Sequence, residues 1–227
     1  MKIIIILLLL LLLLCATIYY KIRNETKINN NNDVRINILT RSGNRRRCFE
    51  KLRKSIEKQK YKNWKHIISN DNICNDFLLK YDNVVNVDKI EKLDKKHCPY
   101  NLYLNELLEH CDEGWVIVLD DDALLIDDDF LGKLAYQCKK MKKNNIVTYD
   151  SYYGKLKILT PAILGPIDMI NFSFHTSCPI RFKDKCGGDQ RFINDCKKNG
   201  YILKWTPILG TWANVNNQAH GKKVICE

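Results

Sequence analysis

Hydrophobic spacing divides the chain near Asp33. From Ile3 to Leu14 every residue is Ile or Leu, and uncharged residues continue to Tyr20 before Lys21. An apolar run of roughly 18 residues lies within the about 17 to 25 that cross a bilayer. It predicts a single-pass signal-anchor over residues 1-20, followed by a polar, Asn-rich stem over 21-33. A cleaved secretory signal is the alternative, although the run exceeds the usual apolar length of about 7 to 15 residues and no small-x-small cleavage site follows. Lys2 on one side is nearly balanced by Lys21 and Arg23 on the other, so the positive-inside rule leaves the orientation open. A lumenal carboxyl-terminal part, the type II arrangement, would expose Asn24-Glu25-Thr26 as a glycosylation sequon. Asn171-Phe172-Ser173 has the same pattern inside an apolar run and reads as fortuitous.

From Val34 onward the periodicity alternates between two and 3.6. Val34 to Leu39 reads as a strand, and Arg45 to Gln59 as a helix with Cys48, Leu52 and Ile56 on one face. Lys65 to Ser69 reads as a second strand, Asn75 to Tyr81 as a helix and Val84 to Val87 as a third strand. Pro99 opens a helix whose Tyr100, Leu104, Leu107, Leu108 and Cys111 share a face, and Gly114 ends it. Trp115 to Leu119 is a continuous apolar run, as in a strand buried on both faces. Asp128 to Lys143 predicts a helix and Ile146 to Tyr149 a strand. Tyr152 to Phe174 reads as short strands and turns, and Gly188 to Lys198 as a helix. This order predicts one α/β domain over 34-227, with a mostly parallel sheet flanked by helices and an N-terminal transmembrane helix before it.

Composition adds limits. The net charge of +11 comes largely from lysines scattered along helical segments. Membrane headgroups or an acidic substrate could use that charge. No arginine-aromatic recognition motif is visible, so nucleic acid is not an expected partner. Ten cysteines include no CxxC pair, which argues against structural zinc. Cys178, Cys186 and Cys196 form a candidate disulfide cluster if the domain is lumenal, with buried free thiols as the alternative.

Asp120-Asp121-Asp122 directly follows the buried strand. Three adjacent carboxylates repel one another, and a hard divalent cation such as Mn2+ or Mg2+ relieves that repulsion. Alternate residues of an extended segment point to opposite sides, so Asp120 and Asp122 can serve different partners. In open α/β sheets ligands bind at the carboxyl ends of strands, which favours a site over a solvated acidic turn. Asp127-Asp128-Asp129 precedes a predicted helix and reads as an N-terminal cap.

The stretch PYNLYLNELLEHCDEGWVIVLDDD resembles the core of the inverting glycosyltransferases of the GT-A fold, often called family 2. The opening INILTRSGNRRRCFEKLRKSIEKQKYKNWKHIISND is similar to that family's first strand, helix and second strand. The resemblance implies a Rossmann-like GT-A domain that moves a sugar from a nucleotide-sugar donor, UDP-sugar favoured, to a glycan, protein or lipid acceptor. By spacing, Asn105 corresponds to the family's helix asparagine, and Asp120 and Asp122 to the outer positions of its DxD motif. The resemblance also implies that Thr40, Arg41 and Asp71 bind the nucleotide base or ribose, Asp120 the nucleotide, and Asp122 the metal. CGGDQRFINDC resembles the region of the family's catalytic base and nominates Asp189, although the family often has two adjacent acids where this chain has Gly188-Asp189. His220 matches in position a late histidine that completes the metal shell in some GT-A enzymes. Simpler structural roles exist for several of these residues. Asp71 lies in a turn-rich segment, Thr40-Arg41 can merely close a strand, and Asp189 can cap a helix. His175 reads as a packed core histidine.

Three other functions compete. A catalytically silent, membrane-tethered sugar- or partner-binding protein would keep the fold without turnover. An aspartate-nucleophile phosphohydrolase would place its Asp-x-Asp on an early strand, whereas three predicted strands precede Asp120. A nucleotidyltransferase would carry a Gly-rich phosphate loop near its first strand, where only Gly43 is present.

Overall fold

Strand β1, Ile36–Ser42, turns Ile36 and Ile38 to one side of a sheet and Leu39 to the other. β4, Trp115–Val118, repeats the division with Trp115 and Ile117 against Val116 and Val118. Both strands are apolar on both faces because helices cover both faces, the arrangement that continuous apolar runs specify. The computed structural model describes residues 34–43, 45–71, 76–91, 94, 96–153, 157–159 and 167–213. The expected anchor, stem, Asn24 sequon and His220 lie outside the described residues. Among those residues no helix is long and apolar enough to cross a membrane.

Helices α1, Arg46–Glu57, and α3, Phe130–Lys139, pack on the first face through Leu52, Ile56, Phe130 and Leu134. Helices α2, Tyr100–Glu109, and α4, Gly188–Lys198, cover the second through Leu104, Leu107, Phe192 and Ile193. Phe192 anchors that layer, its ring 4.4 Å from Phe182 and 4.8 Å from Phe174. The remaining strands are β2 (Trp64–Asn70), β3 (Val84–Asn86), β5 (Leu124–Leu125), β6 (Asn145–Tyr153), β7 (Lys157–Leu159), β8 (Phe172–His175) and β9 (Ile202–Ala213). Their order is β3-β2-β1-β4-β8-β6-β9-β5, with β7 paired to β6.

The sheet is mixed, which corrects the expectation of a mostly parallel one. β3, β2, β1 and β4 run parallel, but β8 enters antiparallel between β4 and β6, and β5 and β7 are also antiparallel to their partners. β8 is preceded directly by a one-turn 3-10 helix at Met169–Asn171 and runs against both of its neighbours, β4 and β6. Ile117 pairs with Ser173, so the turn before β8 lies at the carboxyl end of β4.

Other departures are local. The expected helix over Asn75 to Tyr81 is a single 3-10 turn at Asp76–Leu78 among the described residues. Tyr100 was placed on the core face of its helix, yet it is 44% exposed; Asn101, Tyr103, Leu104 and Leu107 are buried instead. Asn171 is buried and accepts the Asp168 N–H through its side chain, so its sequon is inaccessible. His175 packs edge-on against Trp115 at the far end of β4, as a core histidine would.

Candidate active site

Four segments converge at the carboxyl end of β4: the end of β1, the Asp120-Asp121-Asp122 run, the turn before β8 and the start of α4. Arg41 stands at their centre. Its guanidinium donates to both oxygens of Asp120, with Nη2 at 2.7 and 2.8 Å and Nε at 2.9 Å, while Nη1 donates to Asn101 at 2.8 Å. The same guanidinium lies 5.1 Å from the ring centre of Tyr100, a cation-π distance.

Arg45 holds the other two carboxylates. Nη2 pairs with Asp121, and Nη1 donates to Asp122 at 2.9 Å. Asp121 has no exposed side-chain surface and also accepts the Gly43 N–H at 2.9 Å. Burial raises its pKa to about 6, against the pull of Arg45. Asp122, whose side chain is 20% exposed, is raised in the same direction and first of all by burial. The acidic run is therefore met by charge from two arginines, each reaching back from the β1 end.

A cleft of 270 Å3 opens beside this network. Among the described residues it is lined by Arg41, Ser42, Gly43, Arg45, Asp71, Tyr100, Tyr103 and Asp120. A second hollow of 420 Å3 shares Asp71, Tyr100 and Tyr103 and extends towards Lys89 and Glu91. Exposed Tyr100 offers a flat face, and Asp71 an acceptor, to any planar ring entering here.

Opposite the acidic run, Gly187 has φ 70°, a left-handed value that glycine adopts readily, and turns the chain into α4. Asp189 lies in the first turn and accepts the Gln190 N–H at 2.7 Å. Burial raises its pKa above the ordinary 3.8, opposed by Arg41 and reinforced by Asp120. Asp168 is raised to about 6, first by burial and then by Asp189 and Asp120. The acids on the two walls thus act on one another across Arg41.

A seam along α2 holds the α4 loop in place. Cys98 is disulfide-bonded to Cys186. Asn101 Nδ2 donates to the Lys185 carbonyl at 2.9 Å. Asn105 donates to the Phe182 carbonyl at 2.9 Å and accepts the Phe182 N–H at 2.8 Å. Positions 98, 101 and 105 follow helical spacing, so one face grips successive residues of the loop. A Cβ on Gly188 would stand 2.5 Å from Asn101 Nδ2, which leaves room only for glycine.

Of the residues nominated from sequence, Arg41, Asp71 and Asp120 line the cleft. Asp122 adjoins it through Arg45, and Asp189 faces Arg41 and Asp120 electrostatically. Thr40 and Asn105 are placed elsewhere. Thr40 is fully buried with its hydroxyl 2.9 Å from His66, because it points to the sheet face opposite Arg41. Asn105 spends its amide on the Phe182 backbone. The cysteine cluster divides: Cys186 joins Cys98, while Cys178 and Cys196 are buried thiols with sulfurs 3.9 Å apart.

Arg45, Asn101, Tyr100 and Asp168 were not nominated as site residues. Only Arg45 left a local signal. It sits at the amino end of a helix with no acid in its first turn, where the macrodipole disfavours a cation unless acids lie opposite.

The fold that carries this site is shared with known structures. The structure of TarS from S. aureus superposes with a TM-score of 0.63 over 80% of this chain, at 13% identity. A TarS 1-349 structure in complex with UDP gives 0.61 over 79%, also at 13% identity. The mannosyltransferase PcManGT from Pyrobaculum calidifontis, in complex with GDP-Man and Mn2+, gives 0.60 over 91%, at 15% identity. The chain has a GT-A-like fold. It spans 37% of the TarS chain, 60% of the 1-349 fragment and 66% of PcManGT. No protein-family model and no curated protein matches the sequence.

Proposed function

We propose that the protein is a glycosyltransferase that moves a sugar from a nucleoside-diphosphate donor to an acceptor hydroxyl with inversion, in a metal-dependent reaction. One observation carries this reading: in a GT-A-like fold Asp120 lines a cleft at the end of β4 beside Arg45-bound Asp122, and Asp189 interacts electrostatically with Asp120 and Arg41 from α4. The base would lie against Tyr100 with Asp71 at its edge, and the diphosphate would extend towards Asp120 and Arg45. The neighbours' ligands, UDP in one and GDP-Man with Mn2+ in another, are of this chemical class.

The donor set suits a hard cation. Asp120 and Asp122 offer only oxygen and stand at the same strand end, each already within reach of an arginine. That fits Mn2+ or Mg2+, commonly held by one or two carboxylates together with phosphate oxygens. Such an ion supplies Lewis-acid stabilisation of the departing diphosphate. Asp189 takes the proton from the acceptor hydroxyl as its oxygen attacks the anomeric carbon from the face opposite the leaving group. Arg41 keeps Asp120 oriented and screens it from Asp189.

A panel of UDP-, GDP- and TDP-sugars, with and without Mn2+, tests the reading. Turnover that Asp189→Asn lowers by about 100- to 10,000-fold is expected. Because burial raises the Asp189 pKa from 3.8, the rate should climb with pH as that carboxyl ionises, with its acid limb shifted upward from that of a free aspartate. A folded protein that neither binds nor cleaves any of these donors would leave the catalytically silent binding role in its place. The expected membrane anchoring, as a single-pass type II protein, is part of the same proposal; alkaline carbonate extraction of the full chain checks it.

A further inference from the structure

Resting on that reading, we propose that Arg45 is a resident counter-ion for Asp122, and that it makes divalent-metal binding conditional on a nucleoside diphosphate. Arg45 is the only cation paired with Asp122 among the described residues, and it also spans to Asp121. The two ends of that bridge differ. Asp121 is fully buried and fixed by the Gly43 N–H, whereas Asp122 and Arg45 keep 20% and 29% of their side-chain surface exposed. Arg45 also lines the cleft. One edge of the guanidinium is thus anchored, and the other is free to exchange partners at the cleft.

The exchange of partners at Arg45 sets the sign of the coupling. Asp120 is held by Arg41, whereas Asp121 and Asp122 share Arg45. A divalent ion arriving alone must displace Nη1 from Asp122 and sit beside two cations. A diphosphate arriving with the ion brings at least two negative charges to offset it, and the displaced Nη1 gains phosphate oxygens, for which arginine's planar fork is suited. Metal and diphosphate therefore bind cooperatively, and by linkage each raises the other's affinity by the same factor.

The test is Mn2+ binding to the full chain, read from the electron paramagnetic resonance signal of free Mn2+, with and without UDP or GDP. Wild type should bind Mn2+ weakly alone and about 5- to 150-fold more tightly with the nucleotide it accepts. Arg45→Lys retains a charge for Asp121, but its point-like ammonium cannot bridge two carboxylates, so Asp122 is freed while the fold is kept. Arg45→Met goes further and removes the charge, with circular dichroism checking that it folds. Both variants should bind Mn2+ alone about tenfold more tightly than wild type and lose most of the nucleotide enhancement. If Arg45→Lys binds Mn2+ alone no better than wild type, or wild type shows no enhancement from a nucleotide it binds, the proposal is overturned. If neither nucleotide binds any form, the glycosyltransferase reading fails, while the metal-alone comparison still decides the role of Arg45.

Discussion

Asp120 to Asp122 and Asp127 to Asp129 have the same composition and lie close together in sequence, yet they have opposite surroundings. The first run ends a strand buried on both faces and is held by arginines, with Asp121 fully buried. The second precedes α3 and meets lysines: Asp127 pairs with Lys133 and Asp129 with Lys60, all of them partly or largely exposed. The expected cap is also indirect. Asp129 makes no side-chain cap bond, and Asp127 instead accepts the Asp129 N–H at 2.9 Å. What separates a site from a helix start here is which neighbours answer the charge: rigid bidentate forks at a cleft, or flexible ammonium groups in solvent.

The largest expected contrast is in activity. Asp122→Ala should lower donor turnover by about 100- to 1000-fold, the cost of removing a group that organises charge in a transition state. Asp128→Ala, at an exposed position, should leave turnover within about twofold. Equal effects would erase the distinction between the runs. The next contrast is in stability. Asp121→Ala should cost about 1 to 3 kcal/mol in denaturant unfolding, because the Gly43 N–H and one edge of Arg45 lose their acceptor.

Stability against pH should then separate the runs by sign. Asp121 has a folded pKa raised by burial from 3.8 to about 6, so its carboxyl favours the fold below 3.8 and that advantage is lost as pH rises through 6. Burial alone would raise Asp127 too, but the Lys133 ammonium, the Asp129 N–H and Lys60 together outweigh it and the pKa is lowered. Its contribution is present above 3.8 and is lost as pH falls through the folded value. In metal-free protein, Asp121→Asn should therefore become relatively more stable than wild type between pH 4 and 6, while Asp127→Asn should become relatively less so as pH rises through the acid range. Matching slopes would show that the two runs share an environment. The smallest effect is expected for Lys133→Ala, no more than about 1 kcal/mol in thermal unfolding.

The same contrast marks how far the sequence could be read. The strand ending at Asp120, the helices covering it and the Gly-Gly-Asp start of α4 all follow from local periodicity and turn chemistry. Arg41, Asp71 and Asp189 were accessible through the family resemblance, which attaches roles to the ends of the first two strands and to the start of a late helix. Asp168 was not, because it reaches the site only through the antiparallel pairing of β8 with β4, and no local pattern encodes that pairing. Asn101 was hidden for a related reason. Its partners, Arg41 and Lys185, are 60 and 84 residues away, and the helical pattern favoured the apolar Tyr100 as the core residue. Thr40 shows the converse, since adjacent strand positions face opposite layers and a motif that names both can place only one in the cleft.

The bond between Cys98 and Cys186 closes a covalent ring through α2, β4, β5, α3, β6, β7 and β8. The acidic run is inside the ring, and both arginines and Asp189 are outside it. Closing a loop with a sequence separation of 88 removes about 4 to 5 kcal/mol of chain entropy from the unfolded state in the simplest treatment. Oxidation thus constrains the wall that carries Asp189: once the bond is made, the segment leading to it is tethered beside Asn101. Chains matured in a reducing compartment would have to find that register by side-chain contacts alone.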